Sequence, residues 1–216
     1  MDRKQSINVK IPNMAILNTA ERLFAERGYA ATTMRQIASE GKVNSSMVSY
    51  YFGSKEALYN MIFTLRLQEL KKVFDEAQYA NQSKATRLEV FLSKYIQHIQ
   101  TYKDFHKLLL REYSLLSSPR LDDSMIREHI LNNLASLRQL VIEQASLGFV
   151  KNIDITLFCV NVLTFTPRLL LENSRSTFSL VDALKDSDNG LPINERIKNF
   201  YYSQLFGEAR YPSQDY

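Results

Sequence analysis

Residues 33–58 read TMRQIASEGKVNSSMVSYYFGSKEAL, with apolar residues at intervals of three and four between two capping patterns. Thr33 and Gln36 have the spacing of a capping box, which favours a helix that begins after Thr33. Gly41 to Val43 has the composition of a tight turn, and Asn44 is suited to cap the next helix. The pattern therefore predicts two short helices joined by a turn of about three residues.

One helix is predicted before this pair and another after it. A stripe of apolar residues over 16–24 ends at Gly28, which favours the left-handed conformation at a helix end. Ser54 has the position of a cap for a long helix that we expect to run to about Ala80. Two short helices joined by a turn and packed on a third form the helix-turn-helix arrangement.

The second helix of this motif, which we expect to end near Phe52, has two different faces. Val48 and Phe52 are spaced to point back towards the preceding helices. The opposite face lacks acidic residues and carries hydroxyl groups, on Ser45, Ser46, Ser49 and Tyr50. Such a face suits the major groove of DNA, where phosphates repel carboxylates. A solvated face of a short surface helix is the alternative.

The positive charge of the chain is concentrated near its beginning. The 216 residues include 27 Lys and Arg against 23 Asp and Glu, a net charge of +4. Residues 1–55 contain eight of these cations and four of the anions, so the whole excess lies there. A polyanionic partner is therefore expected to bind this part of the chain. Arg22 and Arg27, beside Glu21 and Glu26, are interpreted as ordinary surface charge.

The rest of the chain is predicted to be helical as well. Five further helices are expected, at about 84–102, 104–116, 122–147, 154–172 and 193–206. We expect Pro167 to kink the fourth of these, because proline removes a backbone hydrogen bond. The fold class is therefore predicted as all-α with about nine helices, in two domains at 1–53 and 54–216.

Enzymatic and metal-binding functions are not supported by the sequence. Cys159 is the one cysteine, which excludes an intramolecular disulfide, and its apolar neighbours are typical of a buried thiol. His98 and His106 have no carboxylate at ligand spacing, so we expect no zinc site. Glycine-rich phosphate loops and the Gly-x-Ser-x-Gly motif are absent. We expect neither catalysis nor a cofactor.

Neither a secretory signal nor a membrane-spanning segment is predicted. The first residues are followed by no apolar run of the length that a secretory signal needs. The most apolar stretch, residues 155–166, is shorter than the roughly 20 residues that cross a bilayer. We therefore expect a cytoplasmic protein without a membrane partner.

Four segments of the first quarter share one known pattern: Ile16–Gly28, Thr32–Ala38, Val43 and Tyr51–Leu58. Together, over residues 16–62, they resemble the TetR family of bacterial transcription regulators. The resemblance implies a homodimer with an N-terminal three-helix domain that binds DNA. It also implies a C-terminal helical domain that binds a small effector and dimerises.

The resemblance carries DNA contacts over by position. Thr33 and Tyr51 are expected to donate to phosphates, and Lys55 to pair with one at the start of the fourth helix. Arginine is the strongest reader of guanine, so Arg35 is a candidate for a base edge. Asn44 is either a cap or a base contact. The full predicted set is Thr33, Arg35, Lys42, Asn44, Ser45, Ser46, Ser49, Tyr50, Tyr51 and Lys55.

Two positions depart from the family pattern. The turn, usually Ala-Gly-Val, is here Gly41-Lys42-Val43. Either Gly41 takes the left-handed position or Lys42 tolerates it, and Lys42 is placed to add a phosphate contact. Ser49 stands where the family usually has tyrosine, which affects operator recognition and not the fold. The cations near the start of the chain either enter a minor groove or form a solvated arm: Arg3, Lys4 and Lys10.

In the second domain the resemblance implies an effector pocket and a dimer interface. The expected pocket residues are Phe63, His98, Tyr102, Phe105, His106, Leu109, Tyr113, Phe158, Asn161, Phe165 and Arg168. Arg168 either faces an acidic effector or forms a surface salt bridge. The expected dimer interface is a stripe on the last helix: Ile197, Phe200, Tyr201 and Leu205. The alternative is that this stripe packs only on its own domain.

The leading hypothesis is a ligand-responsive, DNA-binding regulator. We expect a repressor that a small-molecule effector releases from a near-palindromic operator, while activation stays open. The alternative is a helical small-molecule-binding or enzymatic protein whose N-terminal bundle does not bind DNA. Salt-dependent binding to duplex DNA distinguishes the two hypotheses.

Overall fold

The computed structural model describes residues 14–79, 84–114, 123–145, 153–171 and 191–206. All regular structure within these ranges is α-helical, which confirms the predicted fold class. The nine helices described are α1 (Met14–Arg27), α2 (Met34–Glu40), α3 (Ser45–Phe52), α4 (Lys55–Gln78), α5 (Lys84–Thr101), α6 (Lys103–Ser114), α7 (Asp123–Ala145), α8 (Ile155–Leu171) and α9 (Ile193–Phe206). The cations Arg3, Lys4 and Lys10 lie outside the described residues.

The first four helices begin and end at the residues that carry the local capping patterns. Gly28 follows α1 with a φ of 84°. Thr33 and Gln36 form the predicted capping box, each side chain accepting a hydrogen bond from the other's backbone N–H. The side-chain oxygens of Asn44 and Ser54 accept from backbone N–H groups of α3 and α4, at 3.1 and 3.0 Å. These caps fix the order of helices in the motif.

Residue contacts divide the chain into two compact units, Met1–Ile62 and Phe63–Tyr216. The division lies within α4, nine residues after the boundary that the sequence predicts. Leu58 and Tyr59 explain this difference, because both are buried. The ring of Tyr59 packs edge-on against Phe24 of α1, with centroids 5.0 Å apart. The beginning of α4 is thus part of the first unit's core.

The first unit has a compact apolar core that orients α3. Ile37 of α2 and Val48 of α3 are fully inaccessible to solvent, and Phe52 is nearly so. Val48 and Phe52 therefore point inward, as their spacing predicts. Because successive turns of α3 bury the same side, its opposite side is turned to solvent.

The second unit is built around α5, which contacts α6, α7, α8 and α9. Its core is a continuous cluster that includes Phe74, Phe91, Tyr95, Leu137, Val141, Val162 and Leu205. Within the described helices, none is both long and apolar enough to cross a membrane.

Helix α8 continues for four residues beyond Pro167. Proline has no backbone N–H, so the carbonyl of Leu163 lacks its usual donor within the helix. The hydroxyl of Tyr95, from α5, donates to that carbonyl at 3.0 Å. A neighbouring helix therefore supplies the hydrogen bond that Pro167 removes.

Candidate functional site

The exposed side of α3 carries the four residues that the sequence singles out as a DNA-facing surface. Ser45, Ser46, Ser49 and Tyr50 are all exposed, and the Tyr50 side chain is the most open, at 84%. Tyr51, half-buried, packs edge-on against the Tyr50 ring with centroids 5.4 Å apart. No residue of α3 is acidic. The surface thus offers hydroxyl groups on a rigid helix and no carboxylate to repel a phosphate.

The cations of the first unit differ in how far they are neutralised. Arg22 and Arg27 both form ion pairs with Glu40, at 3.1 and 3.6 Å. Arg35 and Lys42 are exposed, and neither has a carboxylate partner among the residues that the structure describes. Of the described positive charges, these two are therefore available to a polyanion beside α3.

The turn between α2 and α3 places Lys42 in the left-handed region, with a φ of 53°, whereas Gly41 has a φ of −76°. Of the two alternatives for this turn, the structure has the one in which lysine tolerates the strained position. A Cβ on Gly41 would lie 3.0 Å from the Ile37 carbonyl oxygen, so glycine is favoured there by space. A left-handed conformation costs a lysine about 1–2 kcal/mol. Such strain is often kept at functional sites.

Two of the predicted contact residues already act as helix caps. The Asn44 amide oxygen accepts from the Ser46 N–H, which supports the cap over the base contact. Thr33 Oγ1 accepts from the Gln36 N–H at 3.2 Å and lies 3.0 Å from Gln36 Oε1, to which it donates. The Thr33 hydroxyl therefore has to leave Gln36 before it donates to a phosphate.

The ammonium group of Lys55 is bound within the first unit itself. Its Nζ donates to the carbonyl oxygens of Tyr29 at 3.0 Å and of Thr32 at 2.9 Å. It also lies 4.2 Å from the centroid of the Tyr29 ring. The sequence gives no indication of this arrangement, because the carbonyls lie more than 20 residues away.

In the second unit, six of the predicted pocket residues lie on α4, α5 and α6 or the turn between the last two: Phe63, His98, Tyr102, Phe105, His106 and Leu109. His98 Nδ1 and His106 Nε2 are hydrogen-bonded at 2.9 Å. Burial lowers the pKa of His98 to about 4 and that of His106 well below its usual range. The two rings are therefore a neutral pair at neutral pH, with one N–H donated between them.

The outer nitrogens of this pair, His98 Nε2 and His106 Nδ1, are buried without a hydrogen-bond partner. In a neutral pair one of them carries a proton and the other accepts. A buried polar atom without a partner costs about 1–3 kcal/mol. No group of three metal-ligating side chains occurs in the described ranges. The pair is thus the most polar feature of an otherwise aromatic interior.

The other predicted pocket residues do not join this group. Phe158 and Asn161 line a separate groove between α8 and α9. Phe165 and Arg168 are exposed on α8. The side chain of Tyr113 lies outside the described part of the chain. Two widely different environments therefore replace the single pocket that the sequence suggests.

The predicted dimer stripe is largely internal. Ile197, Tyr201 and Leu205 are buried in their own unit, where they belong to its core. The Tyr201 hydroxyl lies 3.0 Å from Thr166 Oγ1 and 3.1 Å from Asn161 Oδ1. Side chains this deeply buried have no area left for a partner. The assignment of these three residues to an interface is thus corrected, and the stripe packs on its own domain.

Phe200, the fourth residue of the stripe, is 47% exposed. On the neighbouring helix α8, Leu157 is 67% exposed. Both border an open groove of about 210 Å³, whose lining is Ile153, Asp154, Leu157, Phe158, Asn161, Phe200, Tyr201 and Gln204. Apolar area of this kind on two adjacent helices is typical of an interaction surface.

Cys159 is fully buried in the second unit, as its apolar neighbours predict. Burial raises the pKa of its thiol to about 12. The thiolate form, which reacts with oxidants and electrophiles, is therefore scarce at neutral pH.

Comparison with known proteins matches residues 16–62 to the model of the bacterial regulatory proteins of the tetR family. The matched residues are those that build α1, α2, α3 and the first two turns of α4. An uncharacterised HTH-type transcriptional regulator of Bacillus subtilis, YuxN, is 34% identical over 108 residues, 46% of this chain and 34% of that protein. The HTH-type transcriptional repressor Rv3405c of Mycobacterium tuberculosis is 50% identical over 48 residues, 22% of this chain and 26% of the repressor.

The fold extends the likeness beyond the matched segment. The crystal structure of AibR in complex with isovaleryl coenzyme A and operator DNA superimposes with a TM-score of 0.69 at 19% identity. The superposition covers 90% of this chain and 97% of AibR. By sequence, the alignments span only about a third of YuxN and a quarter of Rv3405c. With the helix-turn-helix segment matched and the fold shared, the chain belongs to the tetR family of bacterial regulatory proteins.

Proposed function

We propose that this protein is a transcriptional regulator that binds duplex DNA through α3 and the turn before it. The observation that carries the proposal is the exposed hydroxyl face of α3 beside two cations, Arg35 and Lys42, that have no carboxylate partner in the described chain. The hydroxyls and Arg35 would meet base edges in the major groove. Lys42 and the hydroxyls of Thr33 and Tyr51 would hold phosphates.

The active form is proposed to be a homodimer. Two copies related by a two-fold axis place their α3 helices in successive major grooves, about 34–36 Å apart. Because Ile197, Tyr201 and Leu205 are buried, the interface is proposed to centre on Leu157 and Phe200 of α8 and α9.

Dimerisation is tested by light scattering of purified protein. Leu157→Glu is expected to give monomers, because a charge on the apolar face must be buried in the dimer. Leu131→Glu, at another exposed leucine, is the control and should leave the mass of a dimer. A dimeric Leu157→Glu variant would place the interface elsewhere.

The second unit is proposed to bind a small-molecule effector that controls DNA binding. AibR, which has this fold, was crystallised with isovaleryl coenzyme A and operator DNA. In this chain, the partnerless nitrogens of the His98–His106 pair supply the polar groups that orient a ligand among aromatic walls. The protein would work by binding and not by catalysis, in the cytoplasm, as a repressor.

Selection of bound duplexes from a random pool tests the function. The expected product is a near-palindromic sequence whose half-sites lie about one helical turn apart. Effector binding is then found as loss of affinity for that duplex when a metabolite library is added. A selection that enriches no sequence would contradict the proposal and favour a helical binding protein that does not read DNA.

A further inference from the structure

Lys55 is the first residue of α4, and its ammonium group is committed to the loop between α1 and α2. Of its three N–H donors, two are used, at 3.0 Å to the Tyr29 carbonyl and 2.9 Å to the Thr32 carbonyl. The charge also lies over the Tyr29 ring at 4.2 Å. Hydrogen bonds from a charged donor are roughly twice as strong as neutral ones.

The loop that Lys55 binds determines where the helix-turn-helix begins. Tyr29 follows the glycine that ends α1, and Thr32 directly precedes the cap of α2. The Thr32 hydroxyl donates to the carbonyls of Leu23 at 3.2 Å and Gly28 at 2.8 Å. The same short loop is thus attached to α1 through Thr32 and to α4 through Lys55.

The Tyr29 ring is itself held from both sides. It stacks on Phe24 of α1 with centroids 5.7 Å apart and meets Tyr59 of α4 edge-on at 4.9 Å. Lys55 therefore lies on a fixed aromatic platform between the two helices. Moving its ammonium group to a phosphate would break two charged hydrogen bonds and a cation–π contact.

We propose that Lys55 contributes to DNA binding as a positioning residue, by holding the α1–α2 loop and so the start of α2, and not by pairing with a phosphate. This inference rests on the proposed DNA-binding function. It also gives α4 a direct hold on the motif, since the first residue of that helix is tied to the loop from which α2 begins.

Two lysine variants separate positioning from phosphate pairing. Lys55→Met removes the ammonium group but keeps an unbranched stem over Tyr29. Lys42→Met is the matched control, because Lys42 is exposed and has no partner in the described chain. Affinity for the selected operator is measured from 50 to 300 mM NaCl, at a temperature where both variants are folded by circular dichroism. A lost phosphate contact lowers the slope of log K against log salt by about 0.9.

The expected result is a slope lower by about 0.9 for Lys42→Met and a wild-type slope for Lys55→Met, with affinity reduced about tenfold or more. Amide hydrogen exchange adds a readout that does not depend on DNA. The Thr32 N–H, bonded to the Tyr29 carbonyl at 3.2 Å, should exchange faster in Lys55→Met and not in Lys42→Met.

A slope lowered by about 0.9 in Lys55→Met overturns the proposal, as does unchanged affinity. If Lys55→Met does not fold, Tyr29→Leu removes the platform without changing charge. It should weaken operator binding and speed exchange of the Thr32 amide, and wild-type behaviour would overturn the proposal. A wild-type protein that binds no duplex would instead refute the proposed function, while faster exchange would still show the hold on the loop.

Discussion

The two units of the molecule place their polar side chains in opposite locations. In the first unit, the hydroxyls of α3 and the charges of Arg35 and Lys42 are at the surface over an apolar core. In the second unit, the distinctive polar groups are inside: His98 with His106, and Tyr201 with Thr166 and Asn161.

This difference teaches how each unit is suited to its proposed ligand. A duplex is too large to enter a protein, so its contacts must stand on a rigid exterior. A small molecule is recognised by a few polar groups in a mostly apolar interior. Changes in the first unit should therefore alter binding with little effect on folding, whereas changes in the second should first alter stability.

The largest expected effect concerns the buried histidine pair. Burial holds the pKa of His98 at about 4, against 6.5 in an unfolded chain, so the folded state disfavours its protonation. Stability is then complete above pH 6.5 and is lost as the pH falls from there towards 4, by about 3 kcal/mol from His98 alone. Urea unfolding at several pH values measures this.

His98→Gln should flatten that pH profile, because the titrating ring is gone. His129→Gln, at the remaining histidine, is the control and should keep the wild-type dependence. Parallel profiles for the wild type and His98→Gln would show that the pair is not held neutral by the fold.

Arg35 tests the exterior of the first unit. Arg35→Ala should weaken specific operator binding by about 1–3 kcal/mol and leave the melting temperature nearly unchanged, since the side chain is exposed. Arg27→Ala removes the same charge from an ion pair with Glu40 and should change affinity much less. Equal losses in the two variants would mean that only net charge matters. Fluorescence anisotropy with a labelled operator makes the comparison.

Tyr95 tests whether the interior hydrogen bond at Pro167 contributes to stability. Tyr95→Phe leaves the buried Leu163 carbonyl without this donor and should cost about 1–2 kcal/mol in urea unfolding. In a Pro167→Ala background the restored N–H bonds that carbonyl, so the same change should cost less than about 0.5 kcal/mol.

The control for this cycle is Tyr202→Phe. Its hydroxyl is buried without a hydrogen-bond partner, so removing it should not destabilise the protein. An equal cost of Tyr95→Phe with and without Pro167 would show that the hydroxyl does not replace the missing N–H.

The smallest expected effect is at the turn. Lys42→Gly relieves the left-handed strain but gives the unfolded chain more freedom, so stability should rise by at most about 1 kcal/mol. Operator binding should weaken at the same time, because a phosphate contact is lost. Thermal melts and anisotropy on one preparation give both values, and a variant that is less stable would show that the turn is not strained.

Much of the first unit was predictable because its determinants are local. The capping box of Thr33 and Gln36, the glycine after α1 and the caps Asn44 and Ser54 all act within a few residues. Local patterns of this kind do not depend on the rest of the fold. The bonds of Lys55 were not predictable, since their acceptors are 23 and 26 residues away.

In the second unit the same reasoning had less to work with. The apolar stripe of α9 shows that one face is buried, but a stripe does not distinguish the chain's own core from a partner. Ile197 and Leu205 turned out to face the core. His98 and His106 meet because α5 and α6 turn back on each other after Tyr102, which spacing along the chain does not reveal.

The central claim is that the surface of α3 and its two neighbouring cations bind DNA. Its most direct test is the affinity of the wild-type protein for the selected operator and for a scrambled duplex, measured across a range of NaCl concentrations. The account predicts that log K for both duplexes falls linearly with log salt and that the operator is bound at least a thousandfold more tightly, as in specific complexes. Equal, salt-independent binding to both duplexes, or none, would contradict it.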